Sequence, residues 1–210
     1  YMFNNCSSLL SLNLKNFDIN SIKNMEYIFN GCSSITSLDI SNFNTDSVTN
    51  MGNMFSNCKK LTSIDIIKFN TSNVDNIQSM FQNCEIITSL DLKQFNTSNI
   101  KYMDHLFDSC YNILSIDMNI DNFITSNVEN MEYMFNDCRK LESINLSNFD
   151  TSLVTNMRNM FASCKTMKKI EVNSFNTSKV TNMEYMFYDC RKLEELNILN
   201  FQTSIVTNMN

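Results

Sequence analysis

The amino-acid sequence predicts a right-handed α/β solenoid of eight coils, each of about 26 residues with one short helix and one short parallel strand. Three observations predict this fold: a fixed cysteine period, a matching phenylalanine period, and a change of apolar spacing within each period. Proline is absent and glycine occurs only twice. We therefore expect one turn design, built from Asn, Asp and Ser, to be reused in every coil.

The eight cysteines recur at a nearly constant interval. They are Cys6, Cys32, Cys58, Cys84, Cys110, Cys138, Cys164 and Cys190. Every gap is 26 residues except the gap from Cys110 to Cys138, which is 28. A fixed period in this range is typical of solenoids. We predict that residues 1–210 form a single repeat array and, because the first and last residues fall inside the motif, that the array is a fragment of a longer solenoid.

The phenylalanines support the same period independently. All 16 belong to two columns, one three residues before each cysteine and one after it. The column before the cysteines comprises Phe3, Phe29, Phe55, Phe81, Phe107, Phe135, Phe161 and Phe187. Two apolar columns in step with the cysteines indicate a core that continues from coil to coil.

The apolar spacing before each cysteine predicts the helix. In one unit the apolar residues are Val48, Met51, Met54, Phe55 and Cys58. Their intervals of three, three, one and three correspond to one stripe of an α-helix. Before the next unit, Thr71 and Ser72 stand where a helix N-cap is expected, because a hydroxyl there can accept the free amides of the first turn.

The spacing after each cysteine predicts the strand. Leu61 is followed by Ile64 and Ile66, whose period of two places both side chains inward and Asp65 outward. Stacked coils would pair these strands in a parallel sheet and join the apolar columns into one core. The right-handed crossover between successive parallel strands predicts the hand of the solenoid.

One length irregularity interrupts the array. Phe123 follows Cys110 by 13 residues, where the other units place this phenylalanine 11 residues after the cysteine. Two extra residues therefore lie within Met118 to Asn122, in the loop after the strand. They are either a tolerated loop insertion, or a bend or contact site of the solenoid.

The cysteines and the single histidine have more than one chemical interpretation. Cysteines in stacked coils could form disulfides, but each continues the apolar stripe, and a buried free cysteine behaves as a small hydrophobic residue. We predict a column of buried free thiols, with no metal site and no cofactor, because CxxC pairs are absent and His105 is the only histidine. Other units have Tyr, Asn or Ser at the position of His105, which indicates an exposed helix position and not a catalytic residue.

The outward side chains of the strands form the candidate binding face. Asp stands between the inward apolar residues of four consecutive units, and Ser stands two positions earlier. The candidate residues are Ser37, Asp39, Ser63, Asp65, Ser89, Asp91, Ser115, Asp117, Lys169 and Glu171. The acidic column could attract Ca²⁺ or a basic partner. Alternatively, Asp and Ser keep an open sheet face soluble.

Composition excludes two classes of partner. The net charge of −6 opposes binding to nucleic acid, whose affinity for proteins comes largely from clustered Lys and Arg. No apolar run approaches the ~20 residues that span a bilayer, so we expect no membrane insertion.

Coil ends without polar caps could associate end to end.

The repeat frame resembles a known family. It reads LxxLxLxxFxTSxVxxMxxMFxxC from Leu61 to Cys84, with Ile replacing some Leu and Met. This frame, which covers the whole chain, resembles the BspA-like leucine-rich repeat surface proteins, in particular their Met-Phe-x-x-Cys subgroup, labelled as a mycoplasma domain of unknown function. Departures are few: Ile77 replaces a Met, and Leu106 replaces the Met beside Phe107.

The resemblance carries an expectation about function. It implies a leucine-rich-repeat-type fold, an extracellular or cell-surface location, and a non-enzymatic role in adhesion through recognition of a protein or glycan. The strand residues described above would be the binding face. An intracellular interaction scaffold and a rigid structural spacer are the alternative functions for the same residues.

Overall fold

Successive coils stack in parallel along one axis. The structure, a computed structural model, describes residues 1–118 and 121–210. Single parallel β-bridges join one position of each coil to the same position of the next. These bridges are Asn24↔Asn50, Asn50↔Asn76, Asn76↔Tyr102, Tyr102↔Asn130, Asn130↔Asn156, Asn156↔Asn182 and Asn182↔Asn208. The predicted repeat solenoid is therefore confirmed, and each coil is named below by its cysteine.

Four short strands lie in the segments that follow the cysteines. β1 (Ser89–Asp91) pairs with β2 (Ser115–Asp117), and β3 (Lys169–Ile170) pairs with β4 (Glu195–Leu196). Both pairs are parallel, as the sequence predicts. The two inward apolar residues of each unit, spaced two apart, specify an extended segment. So short an alternation supports only a short ladder of β-sheet hydrogen bonds.

The predicted helix in each coil is wrong, because residues 1–118 and 121–210 contain no helix. A chain of tight turns takes its place. In the Cys58 coil, the amides of Met54, Ser56 and Cys58 donate to carbonyls three residues earlier at 3.1–3.2 Å. These i to i+3 bonds close β-turns, whereas a helix would close i to i+4 bonds.

The intervening amides of the same segment bond to the next coil. Asn53 donates to the carbonyl of Gln78 at 2.8 Å, and Phe55 donates to the carbonyl of Met80 at 3.0 Å. An α-helix would satisfy all its interior amides within the segment, leaving none for its neighbours. The backbone of the turn segment therefore hydrogen-bonds each coil to the next.

Left-handed residues interrupt any helical path twice in each coil from the Cys32 coil onward, and once in the Cys6 coil. The residue before each cysteine has φ of 57° to 71°: Asn5, Gly31, Asn57, Asn83, Ser109, Asp137, Ser163 and Asp189. Four residues earlier, φ is 53° to 58° at Tyr27, Asn53, Ser79, His105, Tyr133, Asn159 and Tyr185. A right-handed helix cannot continue through such residues. The apolar stripe that resembled a helix face therefore comes from regularly spaced turns.

Asn and Asp side chains build the corners, as the composition predicts. In the Cys58 coil, Oδ1 of Asn50, Asp65 and Asn70 each accepts the amide two residues later, at 2.9, 3.1 and 3.0 Å. These are Asx turns, in which the side chain replaces a backbone acceptor. The coil can therefore turn without proline and with almost no glycine.

Thr71 is not an N-cap, contrary to the prediction. It is only 1% exposed, and its Oγ1 donates to the carbonyl of Asn96 at 2.9 Å and accepts the amide of Asn96 at 2.8 Å. The partner lies in the next coil, not in the first turn of a helix. Thr45 makes the same pair of bonds to Asn70. This threonine column joins adjacent coils.

The two predicted apolar columns form the interior. Rings of the phenylalanines that precede the cysteines stack from Phe3 to Phe187, with centroids 5.6–6.1 Å apart between adjacent coils. Six of these rings, from Phe29 to Phe161, are fully buried. Offset stacking at this separation adds to the free energy of burial.

The cysteines are free thiols, as predicted, and six of the eight are fully buried; Cys6 and Cys190 are partly buried. From Cys32 onward each Sγ donates to the carbonyl of the phenylalanine 29 or 31 residues earlier, at 3.1–3.3 Å. Burial raises the pKa of Cys32 to about 11 and that of Cys58 to about 12. Both thiols therefore stay protonated and unreactive near neutral pH.

The predicted insertion falls partly outside the described residues, which omit 119 and 120. Beyond it, Phe123 is buried and its ring stacks on Phe149 with centroids 5.8 Å apart. From Phe123 onward, the second phenylalanine column is therefore buried and continues into the next coil.

Candidate binding face

The strand face is defined here as the ten side chains that the sequence nominates for binding. They are Ser37, Asp39, Ser63, Asp65, Ser89, Asp91, Ser115, Asp117, Lys169 and Glu171, and all ten are exposed. In β1 the exposed Ser89 and Asp91 flank Leu90, which is 2% exposed. The alternation that the sequence predicts is therefore present.

The parallel register aligns these side chains between coils. Ser89 lies beside Ser115, and Asp91 lies beside Asp117. In-register strands stand about 4.8 Å apart, so equivalent side chains repeat at that interval along the solenoid. A partner would meet rows of chemically similar groups on a fixed backbone.

The acidic column has a structural task of its own. Oδ1 of Asp39, Asp65 and Asp91 accepts the amide two residues later at 3.1, 3.1 and 3.0 Å. Asn13 and Asn145 make the same bond in their coils. The recurrence of Asp or Asn here is thus explained by the Asx turn that each of these residues makes, which the side-chain pattern alone did not reveal.

Hydrogen bonding also affects the acidity of Asp39. The side-chain and backbone donors of Ser41 lower the pKa of Asp39 below its ordinary value. Asp39, Asp65 and Asp91 make no ion pair within residues 1–118 and 121–210. These three exposed side chains are therefore open to a partner.

Charges on the remainder of the strand face are paired. Lys93 contacts Asp117. Lys169 Nζ lies 3.0 Å from Glu171 and 3.6 Å from Glu195, beside a groove of about 420 Å³ between β3 and β4. The strand face therefore has an acidic region in the Cys32 to Cys84 coils and a region of mixed charge in the Cys164 and Cys190 coils.

His105 does not occupy an exposed helix position. It has φ of 56°, its side chain is 27% exposed, and its Nδ1 lies 3.0 Å from Oδ2 of Asp108. The neighbouring Ser109 donates to Asp108 and not to the imidazole. A serine–histidine nucleophile pair is therefore not formed here.

Asp108 was not identified from the sequence. Its column elsewhere contains Asn4, Asn30, Ser56, Gln82, Asn136, Ala162 and Tyr188, so Asp108 is its only carboxylate. A carboxylate that occurs once in its column, three residues after the only histidine, is the feature of the sequence that could have identified it. His105 and Asp108 belong to different columns of the repeat, so periodicity within a column does not bring them together.

Two further findings concern metals and membranes. Across the described ranges, no group of three or more His, Cys, Asp or Glu side chains is placed to hold a metal ion. In the same part of the chain, no helix has the length and apolarity needed to cross a bilayer.

Comparison with solved structures returns leucine-rich repeat proteins. A leucine-rich repeat protein from Bacteroides ovatus is 20% identical over 74% of this chain, with a TM-score of 0.47. Another from Eubacterium ventriosum is 16% identical over 83%, with a TM-score of 0.45. This chain spans 38% of each of those two proteins. A leucine-rich cell surface protein from Faecalibacterium prausnitzii is 14% identical over 80% of this chain and 74% of its own, with a TM-score of 0.39.

Comparison at the level of sequence is more decisive. No curated protein matches the chain. The family described as "Mycoplasma protein of unknown function, DUF285" matches residues 1–115 and 110–210. Because these two matches together cover the whole sequence, the chain belongs to the DUF285 family, the mycoplasma-type repeat subgroup that its Met-Phe-x-x-Cys frame resembles.

Proposed function

We propose that the chain is a non-enzymatic binding module of a cell-surface or secreted protein, which recognises a protein or glycan through the strand face. The observation that carries this proposal is the register of β1 and β2, which aligns exposed Ser and Asp side chains of adjacent coils. Open surfaces of this kind, held on a stacked backbone, are the usual binding sites of solenoids.

The buried columns and the strand-face serines have different roles, which supports the proposal. The buried columns hold the coils together, whereas the serines of the strand face can be changed without loss of core contacts. Ser63 and Ser89, for example, are exposed beside buried or partly buried Ile64 and Leu90. Such a surface can acquire specificity for a partner at little cost to the fold.

Location is tested with the native full-length protein on intact cells. Protease is added, and the repeat is detected with an antibody against this segment. Loss of the epitope without lysis is expected. Protection until lysis would contradict a surface location and favour the intracellular scaffold.

Binding is tested by screening the purified array against host-protein and glycan panels, and then with variants. Asp39→Asn, Asp65→Asn and Asp91→Asn together remove three charges but keep an Asx acceptor, as at Asn145. We expect affinity for a captured basic or polar partner to fall at least tenfold. The matched control, Asp46→Asn with Asp75→Asn and Glu129→Gln, removes three exposed charges outside the strand face.

Equal losses in both triple variants would place recognition elsewhere or make it a net-charge effect. Retained binding in both would exclude the acidic part of the strand face. If no ligand binds the array while the epitope is on the cell surface, the rigid-spacer alternative is favoured.

A further inference from the structure

A polar cluster centred on Asp108 joins three adjacent coils. Its Oδ2 accepts Gln82 Nε2 of the Cys84 coil at 2.9 Å, and its Oδ1 accepts Asn136 Nδ2 of the Cys138 coil at 2.8 Å. From its own coil, Ser109 donates to Oδ1 at 3.0 Å, and His105 Nδ1 lies 3.0 Å from Oδ2. Asp108 is 7% exposed, so this carboxylate is a buried acceptor shared by three coils.

His105 is held from both sides. Its ring stacks on Tyr133 of the Cys138 coil, with centroids 4.6 Å apart and an interplanar angle of 9°. On the side of the Cys84 coil, Gln82 Nε2 donates to Asp108 Oδ2, the same oxygen that His105 Nδ1 contacts. The imidazole therefore contacts the Cys138 coil directly and is connected to the Cys84 coil through Asp108.

The charges around His105 are predominantly negative. Asp104 and Asp108 come from its own turn, and Glu132 comes from the Cys138 coil. Arg158 lies over the Tyr133 ring, 5.7 Å from its centroid, and is paired with Glu132 and Glu184. A proton on the imidazole is therefore favoured by three carboxylates.

The expected protonation follows from these contacts. Burial by itself lowers the pKa of His105, but the hydrogen bond and charge of Asp108, with the charges of Asp104 and Glu132, outweigh burial and raise it. For Asp108, burial raises the pKa, but hydrogen bonds from His105, Asn136 and Gln82 outweigh burial and lower it. The ionised pair is thus the favoured state over a range of pH.

We propose that His105 and Asp108 form a pH-sensitive clamp, which holds the Cys84, Cys110 and Cys138 coils together most strongly when the imidazole is protonated and the carboxylate is ionised. The raised pKa of His105 gives stability that is fully present below the unfolded value of about 6.5 and is lost as pH rises through the folded value. The lowered pKa of Asp108 gives stability that is present above about 3.9 and is lost as pH falls through its folded value. The junction is therefore strongest in mildly acidic medium and weaker in alkaline medium.

The first test is a titration of the imidazole by NMR, which yields one set of signals because the chain contains a single histidine. We expect the pKa of His105 to exceed that of an unstructured histidine peptide in the same buffer. In Asp108→Asn, which keeps a hydrogen-bonding amide, the pKa should fall to or below the peptide value. A pKa in the unsubstituted protein at or below the peptide value overturns the proposal, whether or not the variant folds.

The second test is amide hydrogen exchange at the coil junctions. The amides of Asn83 and Ser109 bond across the clamped junctions, to Asp108 and Asn136 respectively. After correction for intrinsic exchange, their protection should fall at least twofold between pH 5.5 and pH 8, because the imidazole loses its proton as pH rises. The control amides of Gly31 and Ser163 bond across junctions without a histidine and should not change.

His105→Tyr is the matched variant, because Tyr27 and Tyr133 occupy the same column with positive φ. It keeps an aromatic ring but cannot be protonated in this range. The pH dependence at Asn83 and Ser109 should disappear in His105→Tyr. Persistence there, or the same dependence at the control amides, would show that another group is responsible.

Discussion

The turn segment before each cysteine and the strand segment after it use their backbones differently. In the turn segment around Cys58, every second amide bonds to the next coil, and Met54, Phe55 and Cys58 are fully buried. In the strand segments, ladders extend for two or three residues, and every second side chain is exposed. Cohesion is therefore concentrated on the turn side, and the strand side is left free to vary.

The largest expected effect that tests this contrast is on the buried phenylalanine ladder. Phe107→Ala removes a fully buried ring that stacks on Phe81 and Phe135. We expect a loss of about 3–5 kcal/mol in the free energy of unfolding, measured by urea denaturation. Leu114→Ala, at a strand-side residue that is 56% exposed, is the control and should cost under ~0.5 kcal/mol. Similar costs would contradict the assignment of cohesion to the turn side.

A smaller effect is expected at the threonine column. Thr71→Val preserves shape but leaves the amide and carbonyl of Asn96 without their partner across the coil junction. Stability to urea should fall by about 1–3 kcal/mol, the cost of unsatisfied buried polar groups. Ser63→Ala, at an exposed strand-face hydroxyl, should change it by less than ~0.5 kcal/mol. If Thr71→Val leaves the stability to urea unchanged, water replaces the hydroxyl as the partner of Asn96.

The left-handed turn residues should show a conformational cost. Asn53 has φ of 55°, a left-handed conformation in which the Cβ of every residue except glycine is crowded. Among the other residues, Asn tolerates this conformation better than most. Asn53→Ala should lower the free energy of unfolding by about 1–2 kcal/mol, and Asn53→Gly should lower it by only about a few tenths of a kcal/mol. If both variants lose the same stability, side-chain contacts of Asn53 and not its φ determine the cost.

The smallest effect is expected on the strand side. Asp65→Asn keeps the Asx bond to the amide of Ile67, so the unfolding free energy should change by less than ~0.5 kcal/mol. Asp65→Ala loses that bond and should cost about 0.5–1.5 kcal/mol. Thermal denaturation of both variants checks the difference. An equal change in both would mean that the charge of Asp65, and not its turn, affects stability.

Interior positions were more predictable than the surface. The periods of Cys and Phe identified the columns that are buried, and Ile66 and Asp65 point inward and outward as the alternation predicts. The candidate strand face is exposed as expected, but Asp39, Asp65 and Asp91 also form Asx turns, which the side-chain pattern did not indicate. Whether that face binds a partner is a proposal for the experiments above.

The sequence alone determined the repeat, the buried columns, the free thiols and the use of Asn and Asp in turns, because each of these depends on the periodicity and chemistry of side chains. Only the tertiary structure decided that the apolar stripe before Cys58 is a row of turns and that Thr71 bonds to Asn96. It likewise revealed the contacts of Asp108 with Gln82 and Asn136. The physical reason is common to these cases: the partner of the backbone or side-chain group lies about one coil away. Local spacing cannot distinguish an amide that bonds within its own segment from one that bonds to its neighbour.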